Sequence, residues 1–201
     1  MAGNRQGERR SRRRERKPRK PLSRTSLEEL ALAYVARFAT TAAKLERYLS
    51  RKVWERGWED EGQDEPDIRA LVDRFVERNY VDDAAYAKMR SSDLLRRGYG
   101  ARRVNQALRQ AGVAGEVRED LAPGEAAKRR AALRLAEKRG FGPFGLQPPD
   151  REKREKQIAA MLRAGHSFDH TRALIDAESA DMAREWVAEA EEEEDDEDDL
   201  G

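Results

Sequence analysis

The sequence predicts an all-α protein, built as an array of helices without a sheet. From Ser26 onward, apolar residues recur at the three- and four-residue spacing of amphipathic helices. These helices group into three triplets at intervals of about 40 to 60 residues, and no alternating strand pattern or Asn-Gly turn competes with them. Units this small bury their apolar faces only against neighbours. We therefore expect an elongated, curved array of three tandem three-helix repeats with disordered charged termini.

The first triplet begins with a capping-box pattern at Ser26, whose hydroxyl, together with Glu29, can satisfy the first free N–H groups of a helix. Thr40 or Thr41 can cap the second helix, and a third helix follows Pro66. The acidic, glycine-containing segment 55–65 between the last two helices is predicted to be an exposed loop. The apolar stripes of the three helices are Leu27/Leu30/Ala31/Tyr34/Phe38, Leu45/Tyr48/Leu49/Val53 and Ile68/Leu71/Val72/Phe75/Val76.

The second and third triplets repeat this pattern. Asp82 is placed to cap a helix that ends before Gly98 and Gly100, and the next helix carries apolar residues on one face and arginines on the other. The third triplet contains a Gly- and Pro-rich break at 140–149, and a stripe around Met182 and Trp186 can extend it. The apolar positions assigned to these helices are Tyr86/Met89/Leu94, Val104/Ala107/Leu108/Ala111, Val117/Leu121, Ile158/Met161/Leu162 and Phe168/Thr171/Ile175.

Charge is distributed in blocks that nearly cancel to a net +1. Residues 1–24 carry a net +9 and residues 84–163 a net +10, whereas residues 185–201 hold 11 acids and no base. We expect a disordered basic arm and a disordered acidic tail, because neither has the apolar residues that folding requires. Either tail can be a solvated extension, or the arm can bind nucleic acid and the tail can compete with nucleic acid for the basic surface. The predicted units are 1–25, 26–80, 81–122, 123–177 and 178–201.

The composition excludes several classes of protein. Charged residues make up 40% of the chain, the mean hydropathy is -1.00, and there is no cysteine for a disulfide, a thiolate nucleophile or a zinc–thiolate site. No apolar run approaches the roughly 20 residues of a membrane-spanning helix, and the arginine-rich start lacks the apolar stretch of a secretory signal. We therefore expect a cytoplasmic protein that has no membrane segment.

Two sequence segments resemble the signature of a known family. Asn-Tyr-Val-Asp-Asp-Ala-Ala-Tyr-Ala at 79–87 and Arg-Arg-Gly-Tyr-Gly-Ala-Arg-Arg-Val-Asn-Gln-Ala-Leu-Arg-Gln-Ala-Gly-Val at 96–113 are similar to the two halves of the signature of the RecX family of RecA regulators. The segment 162–169 is similar to the family's closing repeat, so the resemblance covers roughly 26–177. The segment 37–41 departs from the family, because it keeps one arginine of an Arg-x-Arg-Ser stretch and replaces serine with threonine.

The resemblance implies a non-enzymatic regulator with roles in DNA repair, recombination and the SOS response. Such a protein binds RecA or the RecA filament on single-stranded DNA and inhibits its recombinase and ATPase activities. The RecA filament is therefore the expected partner, single- or double-stranded DNA is a further one through the basic surface, and the chain is expected to act as a monomer without a cofactor. Whether such a protein caps filament ends, coats the groove or sequesters free RecA stays open.

The signature residues and the exposed cations form two sets, one with structural roles and one expected to contact a partner. The signature residues have roles in folding, because aspartates cap helices, tyrosine rings are buried and glycines allow sharp reversals. This set comprises Tyr80, Asp82, Asp83, Tyr86, Gly98, Gly100, Val104, Leu108 and Gly112. The exposed cations suit phosphate or an acidic protein surface, although a solvated helix face has the same pattern. This set comprises Arg96, Arg97, Arg102, Arg103, Arg109, Lys128, Arg129, Arg130 and Arg134.

Two other functional classes compete with the RecA regulator. A stand-alone nucleic-acid-binding module or transcriptional regulator would use the basic arm and the same arginines, and an adaptor for another ATPase would share the fold. His166 and His170 have a spacing that suits a metal on one helix face, but no third ligand is evident. No phosphate-binding glycine loop or nucleophile elbow is present. We therefore expect neither a metal site nor an enzyme.

Overall fold

The computed structural model describes residues 20–59 and 66–199, and over these ranges the chain folds into ten α-helices and one 3-10 turn. The pairing of Leu22 with Trp58 is an isolated bridge, and no β-strand forms in the described residues. The all-α prediction is confirmed. The helices are α1 (Arg24–Val35), α2 (Ala42–Arg56), α3 (Ile68–Glu77), α4 (Asp83–Arg96), α5 (Ala101–Ala111), α6 (Gly115–Asp120), α7 (Glu125–Arg139), α8 (Arg151–Arg163), α9 (Phe168–Ile175) and α10 (Ala180–Asp199), with the 3-10 turn at Gly142–Phe144.

Each helix triplet encloses an apolar core of its own, as expected for tandem three-helix repeats. Leu45 and Leu49 of α2 are fully buried in the first core, and Val104 and Leu108 of α5 lie at the same spacing in the second. Met161 of α8 fills the third core, which α10 also joins. In α8 the buried pair at this spacing is Gln157 and Met161, whereas the predicted Ile158 and Leu162 are only partly buried, so i, i+4 burial on the middle helix recurs in all three units with a shift of one residue in the third.

The first helix starts earlier than the sequence suggests. Ser23, not Ser26, is the N-cap of α1, and Ser26 is the third helical residue that completes the capping box. Leu22 is completely buried, and its backbone exchanges hydrogen bonds with Gly57 and Glu59. This contact anchors the chain before Ser23, so the expected disordered arm of 1–25 extends too far. Its residues 1–19, like 60–65 of the expected acidic loop, lie outside the described residues.

The first and second repeats meet at the start of α2 and the end of α5. Thr41 caps α2 and also donates a hydrogen bond of 2.6 Å to the carbonyl of Ala111. Gly112 ends α5 with a φ of 85°, and a Cβ on this glycine would lie 2.3 Å from the Cβ of Ala43. The signature glycine therefore does more than reverse the chain, because it also allows close approach of the neighbouring repeat.

The two signature aspartates act on different helices. Asp82 caps α4 by accepting a 2.8 Å hydrogen bond from the Ala85 N–H. Asp83 instead accepts a 2.8 Å hydrogen bond from the free N–H of Ala42, at the first turn of α2. The sequence predicts the cap but not this contact between repeats.

The two signature tyrosines differ in burial. Tyr86 is buried, accepts a hydrogen bond from the Lys44 ammonium and lies beneath it as a cation–π partner. The prediction that Tyr80 is buried is wrong, because its ring rests on Phe75 but is 52% exposed. Chain reversal after α3 places it at the rim of the first core. Other predicted apolar positions that are exposed are Phe38, Val76, Met89, Phe168 and Met182.

The second and third repeats meet through two glycines. A Cβ on Gly100 would lie 2.3 Å from the carbonyl of Gly165, and a Cβ on Gly165 would lie 2.5 Å from the Arg103 nitrogen. Backbone hydrogen bonds cross this contact, from Gly100 N–H to the Ala164 carbonyl and from Arg102 N–H to the Gly165 carbonyl. The N-terminus of α5 is thus satisfied by the end of α8 instead of by a side-chain cap.

The acidic C-terminal segment is helical, which corrects the expectation of a disordered tail. The helix α10 runs to Asp199, and its residues Ala183, Val187 and Ala190 are buried at helical spacing. Composition alone predicts disorder for this segment, but the apolar stripe and the contacts with α7 described below keep it folded. Among the described residues, no helix is both long and apolar enough to cross a membrane.

Candidate interaction surface

The helix α5 carries a cationic face because its apolar and basic residues alternate with helical periodicity. Val104, Leu108 and Ala111 are buried in the second core, so the opposite side of the helix faces solvent. Arg102, Arg103 and Arg109 all lie on this exposed side. The predicted orientation of these arginines is therefore present in the structure.

Arg102 and Arg109 are two exposed contact residues of α5 that no ion pair restrains within the described part of the chain. They lie seven residues apart, hence on one stripe of α5, and neither forms an ion pair with any residue that the structure describes. Arg102 also lines a surface depression of about 360 Å³ that includes Lys128 and His170. This depression joins α5 to α7 and α9, and the carboxylates of Glu125 and Asp169 in its lining balance the charges of Arg102 and Lys128.

A second group of arginines surrounds Asp93 on α4. Asp93 forms ion pairs with Arg97 at 3.0 Å, Arg90 at 3.3 Å and Arg96 at 3.7 Å. Arg90 and Asp93 are not among the residues predicted from the sequence, although the i, i+3 and i, i+4 spacing of these charges indicates their pairing. One carboxylate shared among three guanidinium groups leaves the group positive.

Arg97 also borders a smaller depression of about 180 Å³, together with Arg90, Tyr99 and Arg103. Arg103 donates a 3.0 Å hydrogen bond to the side-chain oxygen of Gln106. Tyr99 is partly exposed and supplies an aromatic ring at the same place. The depression therefore combines cations with a stacking surface, which suits nucleotides or an acidic peptide.

The cations of α7 are engaged within the protein to differing degrees. Arg129 is largely covered, with its guanidinium over the Trp186 ring and a 2.8 Å hydrogen bond to the Trp186 carbonyl. Arg130 pairs with Glu191 of α10, and Lys128 lies 3.6 Å from Glu125. Arg134 is exposed and has no ion pair with a described residue. In this conformation, Arg129 is therefore a packing residue and Arg134 is accessible to a partner.

The two histidines do not form a metal site together. His166 is 2% exposed, and its Nε2 donates a 2.9 Å hydrogen bond to the Gly98 carbonyl. Burial lowers the pKa of His166, which keeps the ring neutral. His170 instead contacts Glu125 at 2.7 Å and stacks edge-on against Trp186. Over residues 20–59 and 66–196, no cluster of three His, Asp or Glu side chains is placed to hold a metal.

Glu125 links the α7–α9 contact to the depression that Arg102 and Lys128 line. Partial burial raises the pKa of Glu125, but hydrogen bonds from Arg129 and His170 outweigh burial and hold the pKa below its ordinary value. The carboxylate is therefore charged at neutral pH and offsets part of the positive charge of Lys128 and Arg129.

Comparison with known proteins assigns these features to one family. Residues 82–121 match a family model described as the second three-helix domain of RecX. The chain is 36% identical over 169 residues to the regulatory protein RecX of Myxococcus xanthus, covering 80% of this chain and 90% of that protein. It is 32% identical over 120 residues to the regulatory protein RecX of Vibrio parahaemolyticus, covering 60% and 76%.

Solved structures support the same fold. The crystal structure of RecX from Lactobacillus salivarius matches with a TM-score of 0.60 at 17% identity, over 76% of this chain and 94% of that one. A second crystal structure of a regulatory protein RecX gives a TM-score of 0.57 at 18% identity, over 76% and 73%. The matched signature, the three-helix repeats and the identity over four-fifths of the chain lead to one conclusion: this chain belongs to the RecX family.

Proposed function

We propose that this protein is a regulator that binds RecA, or the RecA filament on single-stranded DNA, and inhibits its recombinase and ATPase activities without catalysing a reaction. Its relatives in Myxococcus xanthus and Vibrio parahaemolyticus are named regulatory proteins. The action would be steric and electrostatic: the protein would occupy the filament surface and hinder its growth or favour its disassembly.

The observation that carries this proposal is the cationic face of α5. Arg102 and Arg109 extend from the exposed side of a helix whose opposite side is anchored in the second core, and they have no ion-pair partner among the described residues. An unpaired guanidinium on a rigid element can form charge-assisted, bidentate hydrogen bonds with a carboxylate or a phosphate. Both groups would be available on a nucleoprotein filament.

The joints between repeats support an extended binding surface. Gly112 packs against the Ala43 side chain and Gly100 against the Gly165 backbone, so the spacing between neighbouring repeats is sterically fixed. A repeat array held in this way can contact several subunits of a filament at once. The basic second repeat would then supply much of the charge attraction.

The test is ATP hydrolysis by RecA from the same organism on single-stranded DNA, titrated with this protein and with the variant R102A/R109A. We expect inhibition below one copy per RecA, and a titration midpoint about tenfold higher for the variant, since two charge-assisted contacts are lost. The matched control is R69A/R78A, which removes two exposed arginines from the first repeat.

The control variant separates a specific contact from net charge. It changes the net charge by the same amount and should inhibit like the unmodified protein. Equal weakening by both variants would mean that the α5 face has no special role. A stoichiometric excess of the protein could also leave ATP hydrolysis by RecA unchanged under conditions where the protein binds DNA. In that case the nucleic-acid-binding module becomes the better description, and the affinity for DNA should fall steeply with salt.

A further inference from the structure

The acidic end of α10 lies against the N-terminal end of α7. Glu191 Oε1 accepts a 2.7 Å hydrogen bond from Arg130 Nε, and Glu194 Oε1 accepts a 2.9 Å hydrogen bond from the Ala126 N–H. Gly124, the N-cap of α7, has no side chain to satisfy this end of the helix. A Cβ on Gly124 would lie 2.5 Å from the Glu194 carboxylate, so the glycine leaves room for it. Two carboxylates of α10 thus occupy positions that suit anions on α7.

This arrangement is unfavourable for α10 itself. Residues 191–199 are all acidic, and the last turn of the helix contains no basic residue. Like charges at i, i+4 repel each other, and carboxylates at a helix C-terminus oppose the helix dipole. The apolar stripe of α10 ends at Ala190, so the acidic end depends on its polar contacts with α7. The Arg130–Glu191 ion pair is exposed, and an exposed ion pair is weak and readily exchanged for another anion.

We propose that the acidic end of α10 is an internal competitor that covers an anion-binding surface on α7, and that the phosphate backbone of single-stranded nucleic acid displaces it. The surface consists of Arg130, the Ala126 N–H at the start of α7, which Glu194 now occupies, and the neighbouring Arg134. A phosphate would accept from Arg130 and the helix N-terminus as Glu191 and Glu194 do now. The acidic end of α10 therefore makes the surface selective for polyanions. A single small anion competes poorly with carboxylates that are tethered to the same chain, whereas a polyanion competes well.

Both the charge and the geometry favour phosphate. The guanidinium of Arg130 donates two hydrogen bonds to the single oxygen Glu191 Oε1, and a phosphate presents more acceptor oxygens at the same place. The N-terminus of a helix longer than three turns adds a positive field beside it. This inference depends on the proposed function only for its biological setting, because it concerns binding of nucleic acid without RecA.

The experiment measures binding of the full chain to a fluorescein-labelled oligothymidylate by fluorescence anisotropy over a salt series. The variant E191Q/E194Q should bind about five- to tenfold more tightly than the unmodified protein, with a salt slope steeper by about 0.7 for each added phosphate contact. The matched control is E192Q/E193Q, which removes the same charge from neighbouring exposed positions on the same helix. Its affinity should change less than about twofold, because long-range attraction is screened.

Two further measurements complete the test. Arg130→Ala added to E191Q/E194Q should remove most of the gain, and circular dichroism should show that all variants keep their helix content. Equal tightening by E191Q/E194Q and E192Q/E193Q would overturn the proposal, and so would the absence of binding in every variant. Because RecA is absent from this assay, failure here leaves the ATPase result untouched, and failure of RecA inhibition leaves this result untouched.

Discussion

Replacing Gly100 with alanine tests whether the second and third repeats are locked together by backbone contact. The φ of Gly100 is -81°, which alanine adopts without strain, so the expected effect is steric. The added Cβ would lie 2.3 Å from both the carbon and the oxygen of the Gly165 carbonyl. Since packed carbon atoms lie about 3.5 Å apart, the two segments must separate by about 1 Å.

A separation of this size affects three hydrogen bonds across the joint. They are the bonds from Gly100 N–H to the Ala164 carbonyl, from Arg102 N–H to the Gly165 carbonyl and from His166 Nε2 to the Gly98 carbonyl, at 2.9, 3.1 and 2.9 Å. Overpacking costs about 1–3 kcal/mol, and weakening a buried hydrogen bond costs about 1 kcal/mol more. We therefore expect Gly100→Ala to lower the free energy of unfolding by about 2–4 kcal/mol.

The assay is urea unfolding followed by circular dichroism, with Gly115→Ala as the matched control. A Cβ on Gly115 would meet only the Arg118 guanidinium at 3.7 Å, an ordinary contact, at the first residue of α6. Alanine there should be neutral or stabilising by up to about 1 kcal/mol. The reasoning is refuted if the two variants unfold at the same urea concentration.

Three further predictions concern stability and the α7 surface. Burial lowers the pKa of His166 below its ordinary 6.5 in the folded protein. As pH falls, the histidine is therefore protonated in the unfolded chain before it is protonated in the folded protein. The free energy of unfolding should consequently fall as pH drops below about 6.5. His166→Gln should flatten the stability profile between about pH 7.5 and 5.5, measured by urea unfolding, and an unchanged profile would contradict this. Asp83→Ala should cost about 1 kcal/mol in the same assay by leaving the Ala42 N–H unpaired, and no loss would argue against that bond. Gly124→Ala should tighten oligothymidylate binding by about twofold without changing charge, because its Cβ displaces Glu194, and weaker binding would count against the internal competitor.

The sequence predicts the helices well because their signals are local. Thr41, Asp82 and the glycines at 98 and 112 act within one turn of the residues that they cap or reverse. The start of α1 is different: Ser23 and Ser26 are both acceptable caps, and the burial of Leu22 against the Trp58 segment selects Ser23. That selection depends on residues more than 30 positions away, which no local pattern contains.

The contacts between repeats could not be predicted from the sequence for the same reason, because they join residues that lie far apart in the chain. From the sequence, Gly112 is predicted only to end a helix. The fold shows in addition that Ala43 occupies the space that a Cβ at position 112 would need. The acidic segment reads as disordered because its composition is considered alone, whereas α7 supplies both an apolar partner and cations for it. The helical structure of the acidic segment therefore depends on packing between α7 and α10, and the composition of the segment alone does not predict it.

Ion pairing divides the predicted contact cations in a way that sequence clustering cannot. Lys128, Arg129 and Arg130 are consecutive, yet Arg129 is 18% exposed and bound to Trp186, while Arg130 pairs with an exposed acid. Replacing Arg129 with alanine would therefore loosen α10 and uncover the α7 surface. The uncovered surface would raise the affinity for nucleic acid and so offset any affinity lost with the Arg129 charge. A scan that treats these three residues as one patch would mix opposite effects, whereas Arg102 and Arg109, which have no such partners, report on binding alone.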